Sequence, residues 1–368
     1  MATNKNQHYV PRCYLKEFTC NSEGKAINVF NLDRKKFIHM APVKNQCSRD
    51  YFYGDDEKLE GAIQFVERAY ASVLKELLAS PPQLSERHKI VLKRFWLLQY
   101  LRTEASSRRS VEMSNDISRV AGISAEEFNL GIKDAVLIAM KTYAESMDVI
   151  DDLKICLIKN KTKFPFISSD DPAVLSNRWH LNDQRTKFRS FGLSAAGNLL
   201  FLPLSPKLMC MAYDGDVYNV GHKNGFLSIS NINDVKGFNQ HQILNCRANV
   251  FIKDIEDSSF IDFSIGEILE NRNVDRHHIN YAVLDSTNSE YSRYVIIDPE
   301  TAKKHEEALI HTETLHHRPT IWPSVIKWRG KGSVYTNGTG VGYVRKYHAI
   351  SDSRDFYKES SQLSRRSA

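Results

Sequence analysis

Residues 90–102 read IVLKRFWLLQYLR. Apolar side chains occur at nearly every angle around the helix this run would form, and such a helix belongs inside a domain rather than on its surface. Ser85 marks its start, and the pattern continues as a polar helix through Arg108 and Arg109 towards Arg119. Ahead of it, Leu59, Ile63, Val66, Tyr70, Val73 and Leu77 recur at three- and four-residue steps. They predict an amphipathic helix over 57–78, opened by Gly54-Asp55-Asp56 and stopped by Ser80-Pro81-Pro82. A third helix is expected from about Ser124 to Met147.

Outside this helical block the period drops to two. Ala26–Asn31 and Lys36–Met40 predict a hairpin across Leu32–Lys35. Leu153 to Lys159 and Phe164 to Ile167 predict a second one, ending in Ser168-Ser169-Asp170-Asp171-Pro172. Residues 176–196 read as a long loop. Asn198–Leu202 and Lys207–Ala212 read as strands around Pro203-Leu204-Ser205-Pro206, followed by a helix over 233–245 and a strand over 248–252. The sum is an α+β fold: a helical layer with a central buried helix on a mostly antiparallel sheet, plus a smaller mixed C-terminal region. Residues 1–255 form the expected core and 256–350 a mixed extension. That extension has a short helix over 265–271, a strand over 294–298, a charged helix over 302–310 and short strands over 320–347. Residues 351–368, rich in Ser, Arg and Asp, form an expected mobile tail.

The composition, 42% hydrophobic and 26% charged over 368 residues, suits a globular chain with a real core. No run approaches the roughly 18 apolar residues of a membrane helix, and Met1–Gln7 lacks an apolar signal core, so a cytoplasmic protein without membrane partners is expected. Six scattered cysteines without a CxxC pair read as small buried hydrophobes. A net charge of +6 permits a nucleic-acid partner and is equally compatible with solubility alone.

The order of motifs adds a resemblance. Gln7-His8-Tyr9-Val10-Pro11-Arg12, Phe52-Tyr53, Leu59-Glu60 with Glu67, Gln99 with Arg102-Thr103, Phe166–Pro172, Pro203–Pro206 and Asn239 succeed one another over residues 7–253. This series resembles the bacterial domain-of-unknown-function family 4238. Glu104 stands where that family commonly has proline. The resemblance implies an accessory bacterial protein of the kind found in anti-phage defence islands, and it brings no settled mechanism. Residues 254–368 carry no such motif.

The chemistry concentrates where polar groups interrupt apolar helices. Gln99 and Arg102 lie three apart on one helix face. A guanidinium cannot shed its charge, so Arg102 requires a carboxylate, a phosphate or an open pocket. It is read either as a ligand contact or as a structural ion pair with Glu60 or Glu67. These two glutamates lie about 10 Å apart along the helix axis, so a metal between them needs a third donor such as His8 or Asp170. His8, just before the rigid Val10-Pro11 step, suits a general base or a metal ligand, or a backbone anchor.

The expected pocket therefore has His8, Glu67 and Asp170 as catalytic groups and Glu60 on a divalent ion, Mg²⁺ or Mn²⁺. Arg12, Gln99, Arg102 and Asn239 contact substrate. Each acidic residue also has a bland reading: Asp170 as turn chemistry before proline, Glu67 as a partner of Arg102 or Arg12. The function that follows is an anti-phage effector acting on nucleic acid or nucleotides, and a metal-dependent nuclease or phosphohydrolase in its concrete form. The rival is a sensor of a phage component that performs no catalysis.

A basic helix face, with Lys89, Lys93, Arg94, Arg108, Arg109 and Arg119 beside Trp96 and Tyr100, reads as a phosphate track or as an ordinary exposed helix surface. His277-His278, His311 and His316-His317 lack cysteine or an ordered acid, so zinc is disfavoured. Gly338–Gly342 reads as a hairpin turn after Asn337, not a phosphate loop, and no GxSxG or P-loop lysine motif occurs.

Overall fold

Among the described residues up to 252, seven α-helices and twelve strands build the part that matters for function. The computed structural model describes residues 5–364 apart from 188, 255–264, 267, 274, 289–291 and 300–307. In chain order the helices are α1 (Arg12–Leu15), α2 (Glu57–Leu78), α3 (Glu86–Arg102), α4 (Glu104–Val120), α5 (Ile132–Glu145), α6 (Arg178–Asn182) and α7 (Ile232–Asn245). The strands are β1 (Asn6–His8), β2 (Ala26–Asn31), β3 (Lys36–Pro42), β4 (Ser48–Asp50), β5 (Lys154–Asn160), β6 (Ser168–Ser169), β7 (Val174–Ser176), β8 (Leu199–Ser205), β9 (Leu208–Tyr213), β10 (Tyr218–Asn219), β11 (Phe226–Ile229) and β12 (Asn249–Ile252).

The protein is α+β, with mostly antiparallel sheets. The larger sheet has the order β11-β5-β9-β8-β7, and only β11 with β5 is parallel. A second sheet runs β3-β2-β12-β6, antiparallel throughout. Strand alternation divides the larger sheet between two cores. Ile155, Leu157, Leu200, Leu202 and Cys210 face the helical layer, while Cys156, Ile158, Phe201, Met209 and Met211 face α7. Helix α3 is the buried centre of the layer: Phe95 stacks on Tyr70 of α2 with centroids 3.5 Å apart, and Trp96 Nε1 donates to the Phe201 carbonyl at 3.0 Å. Helix α2 spans the residues its periodicity predicts, and Asp56 caps it by accepting from the N–H groups of Lys58 and Leu59.

Four local expectations are corrected. The helix from Ser85 does not run on to Arg119. It ends at Arg102, because Thr103 is extended (φ −66°, ψ 155°) and its Oγ1 accepts from the Ser106 N–H, opening α4. Ser124 exchanges hydrogen bonds with Glu127, but that turn does not propagate, and the helix expected from there begins at Ile132. The segment 164–167 does not return against β5. That strand pairs with β9 and β11, and the chain crosses instead to the other sheet as β6. Within 176–196, α6 buries Trp179 completely, so this stretch is no plain loop.

Beyond residue 256, β13 (His277–Thr287) lies between β14 (Ser292–Ile296) and β15 (Ala308–Thr314). The sequence reading missed β13. Ala308–Ile310, expected as the end of a charged helix, are strand; 302–307 lie outside the described residues. Next come β16 (Lys327–Trp328), β17 (Ser333–Thr336), β18 (Tyr343–Val344) and β19 (Tyr357–Ser360), the last three forming one sheet around the Gly338–Gly342 turn. The tail expected to be mobile from Ser351 is therefore tied down over 357–364. β19 pairs with β17, Trp179 Nε1 donates to the Ser361 carbonyl, and Arg185 binds Glu359. Arg345 bridges back to Asp152, and Ile326 and Val334 enter the core beneath β8 and β9.

Candidate functional site

The QHYVPR stretch gains its shape from side-chain anchors. Gln7 donates to the Gly54 carbonyl and accepts from the Tyr53 N–H, which fastens β1 to the turn before α2. Tyr53 donates from its hydroxyl to the His8 carbonyl at 3.1 Å. Pro11 then starts α1 with an extended φ/ψ, leaving Arg12 exposed on the first helical turn. These elements and one face of α2 enclose a cleft of about 210 Å³, lined among others by His8, Arg12, Cys13, Tyr53, Glu60, Gln64 and Glu67. Four residues expected in the pocket, His8, Arg12, Glu60 and Glu67, meet there. Tyr53 and Cys13 join them; Tyr53's place was legible in the motif, and Cys13's was not.

His8 is half-buried. Burial pushes its pKa below the ordinary histidine value, with Val43 and Glu67 pulling the other way and Arg12 and Arg102 adding to the depression. Its Nε2 is buried without a hydrogen-bond partner. A neutral imidazole with a spare nitrogen beside a cationic side chain is the raw material of a general base. Burial raises the Cys13 thiol to about 12, so this sulfur is no thiolate nucleophile.

Behind the cleft wall, Arg102 is fully buried. Its Nη1 donates to Glu67 Oε1 at 2.8 Å; with the Gln99 amide turned so that its oxygen faces the guanidinium, Nε and Nη2 donate to that oxygen at 2.7 Å each; and the guanidinium stands 6.0 Å from the Tyr53 ring centroid. Of the two readings of Arg102, the ion pair describes the geometry, with Glu67 rather than Glu60 as partner. Arg102 and Gln99 do not line the cleft; they hold Glu67 in its wall. Glu60 accepts instead from Gln64 Nε2 at 3.1 Å.

Two expected site residues lie elsewhere. The Asp170 carboxylate accepts from the backbone N–H groups of Arg247, Ala248 and Asn249 at 2.8, 3.0 and 2.8 Å, and so holds the entry to β12. Burial raises its pKa to about 6 against the pull of these three donors. Asn239 accepts from the Ile167 N–H and donates to the Pro165 carbonyl, clamping α7 to the chain before β6. The neighbouring Asp171 has a role the sequence reading missed. It accepts from the Thr103 hydroxyl at 2.6 Å and from Arg109 at 2.7 Å, which pins the α3–α4 corner. The double-aspartate motif is thus a pair of backbone and corner clamps.

Asp170, committed to the backbone at β12, is not one of the donors for the expected Mg²⁺ or Mn²⁺ site. Among the described residues no group of three His, Cys, Asp or Glu is placed to hold a metal ion, and Glu60 does not fit the metal role assigned to it. The basic helix face is largely neutralised. Lys89 pairs with Glu86, Arg94 with Asp151, Arg108 with Glu104, Arg109 with Asp171 and Arg119 with Asp116, and the buried Trp96 stacks on Tyr100 rather than facing solvent. The C-terminal histidines serve local bonds: His277 meets Asp116, and His316 accepts from the Phe191 N–H. No described helix is long and apolar enough to cross a membrane.

No curated protein and no solved structure matches the chain. The family model described as "Protein of unknown function (DUF4238)" matches residues 6–256, which span both sheets, the helical layer and the whole cleft. The chain therefore belongs to the DUF4238 family.

Proposed function

We propose that this protein is an anti-phage defence effector acting on a phosphate-bearing substrate, nucleic acid or nucleotide, at the N-terminal cleft. The observation that carries the reading is His8: a neutral imidazole whose buried Nε2 has no partner, in a cleft it shares with Arg12 and Glu67. Arg12, which makes no ion pair among the described residues, neutralises a phosphate; His8 takes the proton of the attacking water; Glu67, fixed by Arg102, orients the acceptor. As water attacks phosphorus, the bond to the leaving oxygen breaks, and that oxygen is protonated from solvent. No step passes through a metal. The defence context is supported by the motif resemblance alone.

A sensor that binds a phage component without catalysis is the second reading. It is favoured by the full satisfaction of Arg102, Gln99, Asp170 and Asn239 inside the fold, which leaves few groups free for chemistry. Purified protein incubated with plasmid DNA, RNA and nucleotides, with and without Mg²⁺ or Mn²⁺, decides between them. The effector reading expects turnover that falls about 10²–10⁴-fold in His8→Ala with folding intact. Absence of turnover of any of these substrates, or equal turnover in His8→Ala, overturns it.

A further inference from the structure

Arg108 and Arg109 of α4 line a second cavity of about 350 Å³, together with Arg247, Arg272 and Arg276. That volume falls at the low end of the roughly 300–1,000 Å³ typical of small-ligand sites. The first three arginines belong to the family-matched core; Arg272 and Arg276 come from beyond residue 256. Asp33 and Glu112 are the two carboxylates in the lining.

The five guanidinium groups are not equally satisfied. Arg108 pairs with Glu104 at 2.8 Å, Arg109 with Asp171 at 2.7 Å and Arg247 with Asp33 at 3.3 Å. Arg272 donates to the carbonyls of Cys246 and Arg247. Among the described residues Arg276 has no carboxylate partner, and its buried Nε has no hydrogen bond. Burial, with Arg109 and Arg272 nearby, pulls its pKa down to about 10. His317, whose pKa feels both Arg276 and Arg272, repeats the pattern. Its Nδ1 accepts from the Asn273 N–H, so Nε2 carries the proton, and that buried donor also lacks an acceptor. Burying donors and like charges without acceptors costs free energy that an anion would recover. The guanidinium fork matches phosphate oxygens in particular.

We propose that this cavity is a phosphate site, with Arg276 as the central ligand and Arg272, Arg109 and Arg108 around it. The C-terminal region then completes a site that the family core builds only in part. The phosphate belongs either to a free nucleotide or to a nucleic-acid backbone, which share this chemistry. The proposal is independent of the N-terminal cleft.

Isothermal titration and thermal melting of the full chain at low salt, with pyrophosphate, a nucleoside triphosphate and a short RNA as probes, test it. Wild type is expected to bind at least one probe, to melt higher in its presence and to bind more weakly as salt rises. Arg276→Gln, which removes a group with no partner to lose, is expected to stay folded and to bind about tenfold to a hundredfold more weakly. Arg247→Gln, on a half-exposed side chain, is a second variant with a smaller loss. Binding of the triphosphate without RNA identifies a nucleotide site; RNA binding without the free nucleotide identifies the backbone. No binding of any probe overturns the proposal. So does a folded Arg276→Gln that binds as tightly as wild type, which would place the bound phosphate elsewhere on the protein.

Discussion

Arg102 and Arg276 are the same residue in opposite situations. Arg102 is sealed in the helical core, and its guanidinium is answered by Glu67, by the Gln99 oxygen and by the Tyr53 face. Arg276 lines a cavity with four other arginines and has a buried nitrogen that bonds nothing. Burial alone therefore does not mark a ligand site. What separates the two is whether the fold itself supplies the acceptors. An answered charge fixes structure; an unanswered one lining a cavity is where an anion would gain most. The N-terminal cleft lies between these extremes: its wall residue Glu67 is held by Arg102, while Arg12 is exposed and the buried His8 Nε2 has no hydrogen-bond partner among the described residues.

The largest test of the contrast is Arg102→Met. It strands Glu67 and Gln99 at the core edge, and the expected loss is about 3–5 kcal/mol of unfolding free energy in urea melts. A loss below about 1 kcal/mol would mean that the pair is ornamental and the contrast false. Asp171→Ala comes next. It leaves the Thr103 hydroxyl and Arg109 without their acceptor at the α3–α4 corner, so roughly 2–3 kcal/mol should be lost, and Asp171→Asn should recover part of it by keeping the bond to Thr103.

A smaller, graded effect is expected from pH. Burial holds His241 and His316 near 3 and His317 near 2. The unfolded chain takes up protons at these rings below about 6.5 while the folded chain does not. Stability is thus intact above that pH and is lost as pH falls, by up to about 1.4 kcal/mol per pH unit for each ring. Asp170 and Asp214, raised to about 6 by burial, act in the opposite sense between about 4 and 6, where the folded state binds the protons. Three rings outweigh two carboxyls, so the melting temperature should fall between pH 7 and pH 5. His241→Phe, in a ring environment of Phe201 and Trp322, should flatten that fall. A flat wild-type profile would show that these rings are not held neutral.

Much of the architecture was legible because periodicity reports burial directly. The apolar repeat of α2 and the near-continuous apolar run of α3 placed both helices, and the strands around Pro203–Pro206 followed from alternation. Long-range pairing was not legible: nothing local in Phe164–Ile167 says that the chain crosses to the second sheet instead of folding back on β5. The break at Thr103 was hidden for a related reason. The side chain that ends one helix and caps the next is held by Asp171, 68 residues away. Within the site, Gln99, Arg102 and Glu67 stood out as polar groups in apolar helices, but the sequence could not tell an answered charge from an open one. The backbone roles of Asp170 and Asn239 were not separable in sequence from ligand contacts, because buried side chains that satisfy backbone N–H and C=O groups look, in sequence, like catalytic ones. The arginine cavity escaped notice because its arginines come from three distant segments, none of them within the quoted motifs.

The most direct measurement is a side-by-side thermal melt of wild type, Arg102→Gln and Arg276→Gln in one phosphate-free buffer. Arg102→Gln should melt lower by on the order of 5–10 °C, whereas Arg276→Gln should melt at or above the wild-type temperature. A fall for Arg276→Gln as deep as that for Arg102→Gln would show that Arg276, too, is held by the fold.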